Sequence, residues 1–67
     1  PLYSSAASDV YKRQLFNQLL YSDSEIIRLY SVWALWRIDR LKTINKESFY
    51  KREVSQNVIH EFDLLIK

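Results

Sequence analysis

The segment Asp23–Leu41 constrains the fold of this chain more than any other stretch. It reads D-S-E-I-I-R-L-Y-S-V-W-A-L-W-R-I-D-R-L and contains neither Gly nor Pro. Ser22 and Glu25 have the S-x-x-E spacing of a capping box, in which each side chain satisfies a free backbone N–H of the first helical turn. Arg37 and Arg40 suit the negative end of the helix dipole. The segment therefore predicts one long helix.

Apolar residues cover most of the circumference of this expected helix. With about 100° between successive residues, one apolar stripe consists of Ile27, Tyr30, Ala34, Ile38 and Leu41. A second stripe consists of Leu29, Val32, Trp33 and Trp36, and the remaining side holds Arg28, Ser31, Leu35, Asp39 and Lys42. A helix that is apolar on two sides needs neighbours on both. The pattern is typical of the middle of a helical stack, and the alternative is a small bundle with two half-exposed tryptophans.

Composition favours an all-α fold. The 67 residues include no Gly, no Cys and a single Pro, Pro1. Tight turns, a disulfide framework and a cysteine zinc site are therefore disfavoured or excluded, and no apolar run is long enough for a membrane span. We expect three antiparallel helices near Ser8–Tyr21, Asp23–Lys42 and Lys46–Ile66, with Asn45 as the N-cap of the third.

Two further expectations concern packing. Three residues of the first apolar stripe, Ile27, Ala34 and Ile38, should contact the third helix. The expected partners on that helix are Val54, Val58 and Phe62. Glu53 should lie on the opposite, polar face of that helix. Trp33 and Trp36 should not both be fully buried, because one face of a stack fragment lacks its neighbour.

The N-terminal segment has a resemblance of its own. Ser4–Gln14 reads S-S-A-A-S-D-V-Y-K-R-Q, which resembles the translation of a common sequencing adaptor. We interpret residues 1–14 as an adaptor-derived artefact and expect biological sequence from Leu15 onward, with the natural N-terminus missing. The rival interpretation takes Ser8 or Asp9 as a true N-cap of a helix.

This interpretation changes the charge of the chain. Two of its 10 basic residues, Lys12 and Arg13, and one of its 8 acidic residues, Asp9, lie in the adaptor-like segment. Without them, 8 basic and 7 acidic residues remain and the net charge is +1. The basic balance of the full chain is therefore not evidence for binding to nucleic acid or to anionic membranes.

Leu15–Ile38 resembles part of a HEAT repeat, namely the end of one helix and the whole of the next. The matching positions are Leu19-Leu20 at the end of a leucine-rich helix, Ile27-Arg28 at a valine–arginine pair, Ser31 at a small residue, Ala34-Leu35 at an alanine–leucine pair, and Ile38.

The resemblance implies an α-solenoid fragment, with residues 15–67 forming a partial HEAT-like repeat region. It also implies that Arg28 joins helix ends and neighbouring repeats by hydrogen bonds to acidic turn groups. Tyr30 and Trp36 depart from the family pattern, because they stand where small residues normally permit close packing.

The sequence offers little material for catalysis. His60 is the only histidine and lies on the polar face of its expected helix. Glu61 and Asp63 point in different directions, and no second His or Cys joins Glu53 and His60 in a metal set. The absence of Gly excludes a phosphate-binding loop. We therefore expect no enzyme, no catalytic, metal-ligating or cofactor-binding residue, and no cofactor.

Two functions from different classes remain. The first is a protein-interaction or scaffold module, a truncated piece of a larger helical-repeat protein that binds a protein partner and its own neighbouring repeats. The second is a small helical nucleic-acid-binding module that stacks bases on Tyr30, Trp33 and Trp36 between Arg28, Arg37 and Arg40. A net charge of +1 favours the first, since a nucleic-acid binder carries a clear basic surplus. No membrane signal is present, and the absence of Cys favours the cytoplasm.

Overall fold

Four α-helices and one short 3-10 helix make up the described part of the chain. The computed structural model describes the backbone of residues 5–67 and the side chains of residues 9–67, so the adaptor prediction for residues 1–4 lies outside the described residues. The helices are α1 (Ser5–Tyr21), α2 (Glu25–Arg37), a 3-10 turn (Leu41–Thr43), α3 (Lys46–Arg52) and α4 (Gln56–Leu65). Residues 5–67 contain no strand, so the all-α prediction is confirmed.

Two contacts bring like ends of non-consecutive helices together. The guanidinium of Arg52 lies 4.5 Å from the ring centroid of Tyr21, which brings the C-terminal ends of α1 and α3 together. The Ser55 hydroxyl lies 2.6 Å from a Glu25 carboxylate oxygen, which brings the N-terminal ends of α2 and α4 together. Helix α2 contacts both α1 and α4 and so lies between them.

One apolar core joins all four helices. Phe49 of α3 and Phe62 of α4 stack with ring centroids 4.1 Å apart and are both fully buried. Burial of side chains of this kind stabilises the fold by about 1.5–3 kcal/mol each. The buried members are Leu15, Leu19, Val32, Ala34, Leu35, Leu41, Ile44, Phe49, Val58 and Phe62.

Helix α2 is shorter than the sequence predicts at its C-terminal end. It ends at Arg37 rather than Lys42, because Asp39 adopts a left-handed conformation with φ of 60°. The N–H of Arg40 donates to the carbonyl of Leu35 at 2.8 Å, and the N–H of Asp39 donates to the carbonyl of Trp36 at 3.0 Å. This pair of bonds is a Schellman motif, which usually carries Gly where Asp39 stands.

The N-terminal cap of α2 also differs from the prediction. The hydroxyl of Ser24, not that of Ser22, accepts the helical N–H of Ile27 at 3.3 Å. Ser22 instead accepts the N–H of Ser24 at 3.1 Å. The polar turn therefore contains a serine turn at Ser22 followed by the helix cap at Ser24, and the Ser22–Glu25 capping box is not formed.

The prediction of a single third helix is wrong, because Lys46–Ile66 is divided into α3 and α4. Ser55 caps α4 by accepting the N–H of Val58, and the carboxylate of Glu53 accepts the N–H of Ser55 at 3.0 Å. Glu53 is buried rather than on a polar face, and Val54 is 85% exposed rather than packed against α2. The expected cap of α3 is confirmed, since the side chain of Asn45 accepts a hydrogen bond from the backbone N–H of Ser48.

The buried side of α2 matches neither apolar stripe as a whole, since Ala34 of the first stripe and Val32 of the second are buried. Ser31 and Leu35 were expected on the remaining side, yet both are fully buried beside Val32. Tyr30, a member of the first stripe, is more than half exposed. The side that carries the small Ser31 faces α1, where the Ser31 hydroxyl meets Gln18. The prediction that Trp33 and Trp36 are not both fully buried is confirmed.

Candidate functional site

An exposed apolar row runs along the outside of α2. Ile26, Tyr30, Trp33 and Arg37 follow one another at intervals of four, three and four residues, which places them on one side of a helix. Ile26 is 74% exposed, Tyr30 55% and Trp33 45%. We call these four residues, with their flanking neighbours Ile27 and Trp36, the outer face of α2.

A groove between α1 and α2 adjoins this face. It has a volume of about 330 Å³ and is lined by Tyr11, Tyr30, Trp33, Ala34, Arg37 and Ile38. A hydrogen bond to Tyr30 raises the pKa of the Tyr11 phenol above its usual range, and burial adds to the shift. The groove offers aromatic and aliphatic walls with one cation at its rim.

A buried ion pair fixes α2 to the rest of the fold. The Nε of Arg28 lies 3.0 and 3.1 Å from the two carboxylate oxygens of Glu53, and its Nη1 donates to the Ser22 carbonyl at 2.8 Å. The side chain of Glu53 is 1% exposed and that of Arg28 13%. This contact ties the α1–α2 turn to the α3–α4 turn, so the base of α2 is held on two sides.

Glu25 makes a second connection at the same end. One oxygen of its carboxylate accepts from the Ser55 hydroxyl at 2.6 Å and from the Asn57 amide at 3.2 Å. These two hydrogen bonds, the Ser55 bond foremost, lower the pKa of Glu25, and the charge of Arg28 contributes. The first turns of α2 and α4 are therefore joined directly.

Two further contacts support the outer face from beneath and from the side. The hydroxyl of the buried Ser31 lies 2.8 Å from the Ile27 carbonyl and 3.2 Å from Oε1 of Gln18 in α1. The indole N–H of Trp33 donates to a carboxylate oxygen of Glu61 at 2.9 Å. The second contact orients the Trp33 ring, and it also places an anion at the edge of the face.

The polar residues weighed for catalysis are dispersed or already bonded. His60 is exposed on α4. Glu61 accepts from Trp33, and Asp63 accepts a short hydrogen bond from the Tyr50 hydroxyl. That bond raises the pKa of Tyr50. Within residues 9–67, no three His, Asp or Glu side chains form a group suited to a metal ion.

Sequence reasoning missed two residues of this arrangement. Ile26 belongs to neither predicted stripe, although its spacing to Tyr30 and Trp33 is the signal that reveals the outer face. Glu53 was assigned to a polar face, although the face of Phe49 continues onto Glu53 and Gln56 in an uninterrupted helix. That loss of apolar character is the signal for the break between α3 and α4.

Comparison of the chain with protein-family models, with curated proteins and with solved structures finds no match. The helices of the described part of the chain include none long and apolar enough to span a bilayer. The outer face of α2, with its adjoining groove, is therefore the candidate site on geometric grounds alone.

Proposed function

We propose that the chain is a protein-interaction module that binds a protein partner through the outer face of α2. The observation that carries this proposal is the exposed row of Ile26, Tyr30 and Trp33 on a helix whose opposite side, at Ser31, Val32 and Leu35, is fully buried. Aromatic residues and Arg are enriched in protein interfaces and among the residues that dominate their binding energy. The row contains the aromatic residues Tyr30 and Trp33 and ends in Arg37, so it contains both of these residue types.

The support beneath this face suits a binding surface. Arg28 and Glu25 anchor the first turns of α2 to the α3–α4 turn, and Ser31 joins its middle to α1. A face held in this way loses little conformational entropy on binding, which leaves more of the contact energy for affinity.

We also propose that the module is a piece of a HEAT-like helical-repeat protein. Two features support this. Arg28 bonds groups of two turns, as the family resemblance implies for this position. Ser31, at a small-residue position of the pattern, is fully buried and hydrogen-bonded toward α1. In such a protein the outer face of α2 is available to a neighbouring repeat or to a partner.

The proposed adaptor origin of the N-terminus is supported by the distribution of buried side chains. None of the residues from Asp9 to Gln14 is buried, and the first buried side chain of the described region is Leu15. No side chain within residues 9–14 contributes to the buried core, as the proposed origin of these residues implies.

Charge placement favours protein over nucleic acid as the partner. Arg28 is paired with Glu53 and is not a rim cation for a phosphate. Glu61 holds its carboxylate against the Trp33 indole, where it would repel a nucleic-acid backbone. Of the three Arg residues in the nucleic-acid hypothesis, Arg37 is the one on the outer face.

The test is a selection of amphipathic helices from a displayed peptide library against the full chain. We expect the selected helices to lose binding to the Trp33→Asp variant and to keep it for Leu64→Asp, because Leu64 is a similarly exposed apolar residue on α4. Circular dichroism of both variants checks that they remain folded. Selection of helices insensitive to Trp33→Asp would contradict the proposal. Salt-dependent binding of a single-stranded oligonucleotide, without binding of any helical peptide, would also contradict the proposal.

A further inference from the structure

The outer face of α2 has the spacing of a coiled-coil seam. Ile26, Tyr30, Trp33 and Arg37 alternate at four and three residues, as a and d positions do in a heptad pattern. Large side chains at such positions leave holes between them that accept the side chains of a facing helix. The natural occupant of this face is therefore another helix with the same period.

The charges at the ends of α2 are of opposite sign. Asp23 and Glu25 lie at its N-terminal end, and Arg37 and Arg40 lie at or just beyond its C-terminal end. A second α2 laid antiparallel on the first brings each acidic end against a basic end. A parallel arrangement brings like charges together, which destabilises the pair.

We propose that the outer face of α2 pairs with the same face of a second copy of this chain, with the two helices antiparallel about a twofold axis. The axis passes between Tyr30 and Trp33, so that Tyr30 of each copy packs against Trp33 of the other. Ile26 then faces the aliphatic stem of Arg37, whose guanidinium reaches the acidic end of the other helix. The inference rests on the proposed function, because it names the partner of the same surface.

The available area fits a reversible dimer. Five large apolar residues of the face, Ile26, Ile27, Tyr30, Trp33 and Trp36, are each between 43% and 74% exposed. With about 200 Å² for each large side chain, their exposed parts provide on the order of 500 Å² per copy. The resulting total of about 1,000 Å² lies at the lower end for specific interfaces, the size class of weak, reversible association.

The antiparallel geometry can be tested by cross-linking, because the chain has no cysteine. The variants Ile26→Cys and Arg37→Cys each place one thiol on an exposed position of the face. We expect a mixture of the two to form cross-linked dimers with a short thiol-reactive linker about tenfold faster than either variant alone. Faster cross-linking within either single variant would indicate a parallel pair and overturn the proposal.

Sedimentation equilibrium over a wide range of concentration tests the pairing itself. We expect a monomer–dimer equilibrium that Tyr30→Asp weakens at least about tenfold and that Leu64→Asp leaves unchanged. Dimers equally stable in Tyr30→Asp, or a monomer at all concentrations, would overturn the self-pairing. If displayed helices still bind a monomeric chain in a Trp33-dependent manner, the proposed function stands while the self-pairing is refuted. If the chain dimerises but selects no helices, the proposed function is limited to self-association.

Discussion

Removal of the Arg28 guanidinium should lower the free energy of unfolding more than removal of any other single polar side-chain group of the fold. In Arg28→Met the carboxylate of Glu53, whose side chain is 1% exposed, keeps the Ser55 N–H but loses its cation. The Ser22 carbonyl loses its donor as well. Breaking a buried pair by removing one partner costs about 3–5 kcal/mol, because an uncompensated charge stays in the interior.

The partner substitutions decide whether this reasoning is right. Glu53→Gln keeps an acceptor for the Ser55 N–H and removes the charge, so we expect a smaller loss of about 1.5–3 kcal/mol. In the double variant Arg28→Met with Glu53→Leu, no charge stays buried. Replacement of a buried pair by apolar residues is often close to neutral, so we expect the double variant to be more stable than Arg28→Met alone.

Urea unfolding followed by far-ultraviolet circular dichroism measures these differences. A chain of this length has a free energy of unfolding of about 3–10 kcal/mol, so the loss in Arg28→Met should remove a large fraction of the total and lower the urea midpoint markedly. A loss below about 1 kcal/mol for Arg28→Met would refute the reasoning, because that is the magnitude of an exposed ion pair. A double variant less stable than Arg28→Met would refute it as well.

Substitutions at three further positions have defined outcomes. Asp39→Gly should raise the free energy of unfolding by up to about 1 kcal/mol, since Gly adopts a positive φ without steric cost, whereas Asp39→Val should lower it by about 1–2 kcal/mol; urea midpoints measure both. Asn45→Ala removes the acceptor for the Ser48 N–H and should cost about 1 kcal/mol in the same assay. Asp63 raises the pKa of Tyr50, so the stability that this bond contributes is complete below about pH 10 and is lost as the pH rises through the folded-state pKa. Tyr50→Phe should therefore remove part of the alkaline decrease in melting temperature, and an unchanged alkaline profile would contradict this.

The sequence predicted the helical class and the position of α2 because apolar periodicity is a local property. It also predicted the Asn45 cap, which depends on residues within one turn. The ends of α2 were predicted less well, because Asp39 in the left-handed region is not distinguishable by type from an Asp in a helix. Only the Schellman bonds to Leu35 and Trp36 define that end.

The errors on the buried side of α2 have a tertiary origin. The sequence contains two apolar stripes on α2. Which side of the helix is buried depends on where the neighbouring helices pack, and this is a tertiary property. The fully buried Ser31 allows α1 to approach closely, while Tyr30 and Trp33 are too large for that side. At the break before α4, the partner of Glu53 is Arg28, 25 residues earlier in the chain. No local pattern contains that contact.

The tryptophans of the chain provide the most direct test of the interaction surface. Trp33 and Trp36 are its only two tryptophans, and both belong to the outer face of α2. Collisional quenching of their fluorescence by acrylamide therefore reports on that face alone. We predict efficient quenching in the dilute chain and strong protection when a selected helix, or a high concentration of the chain itself, is added. Equal quenching with and without such a binder, under conditions where binding is independently established, would contradict the assignment of this face as the site of protein binding.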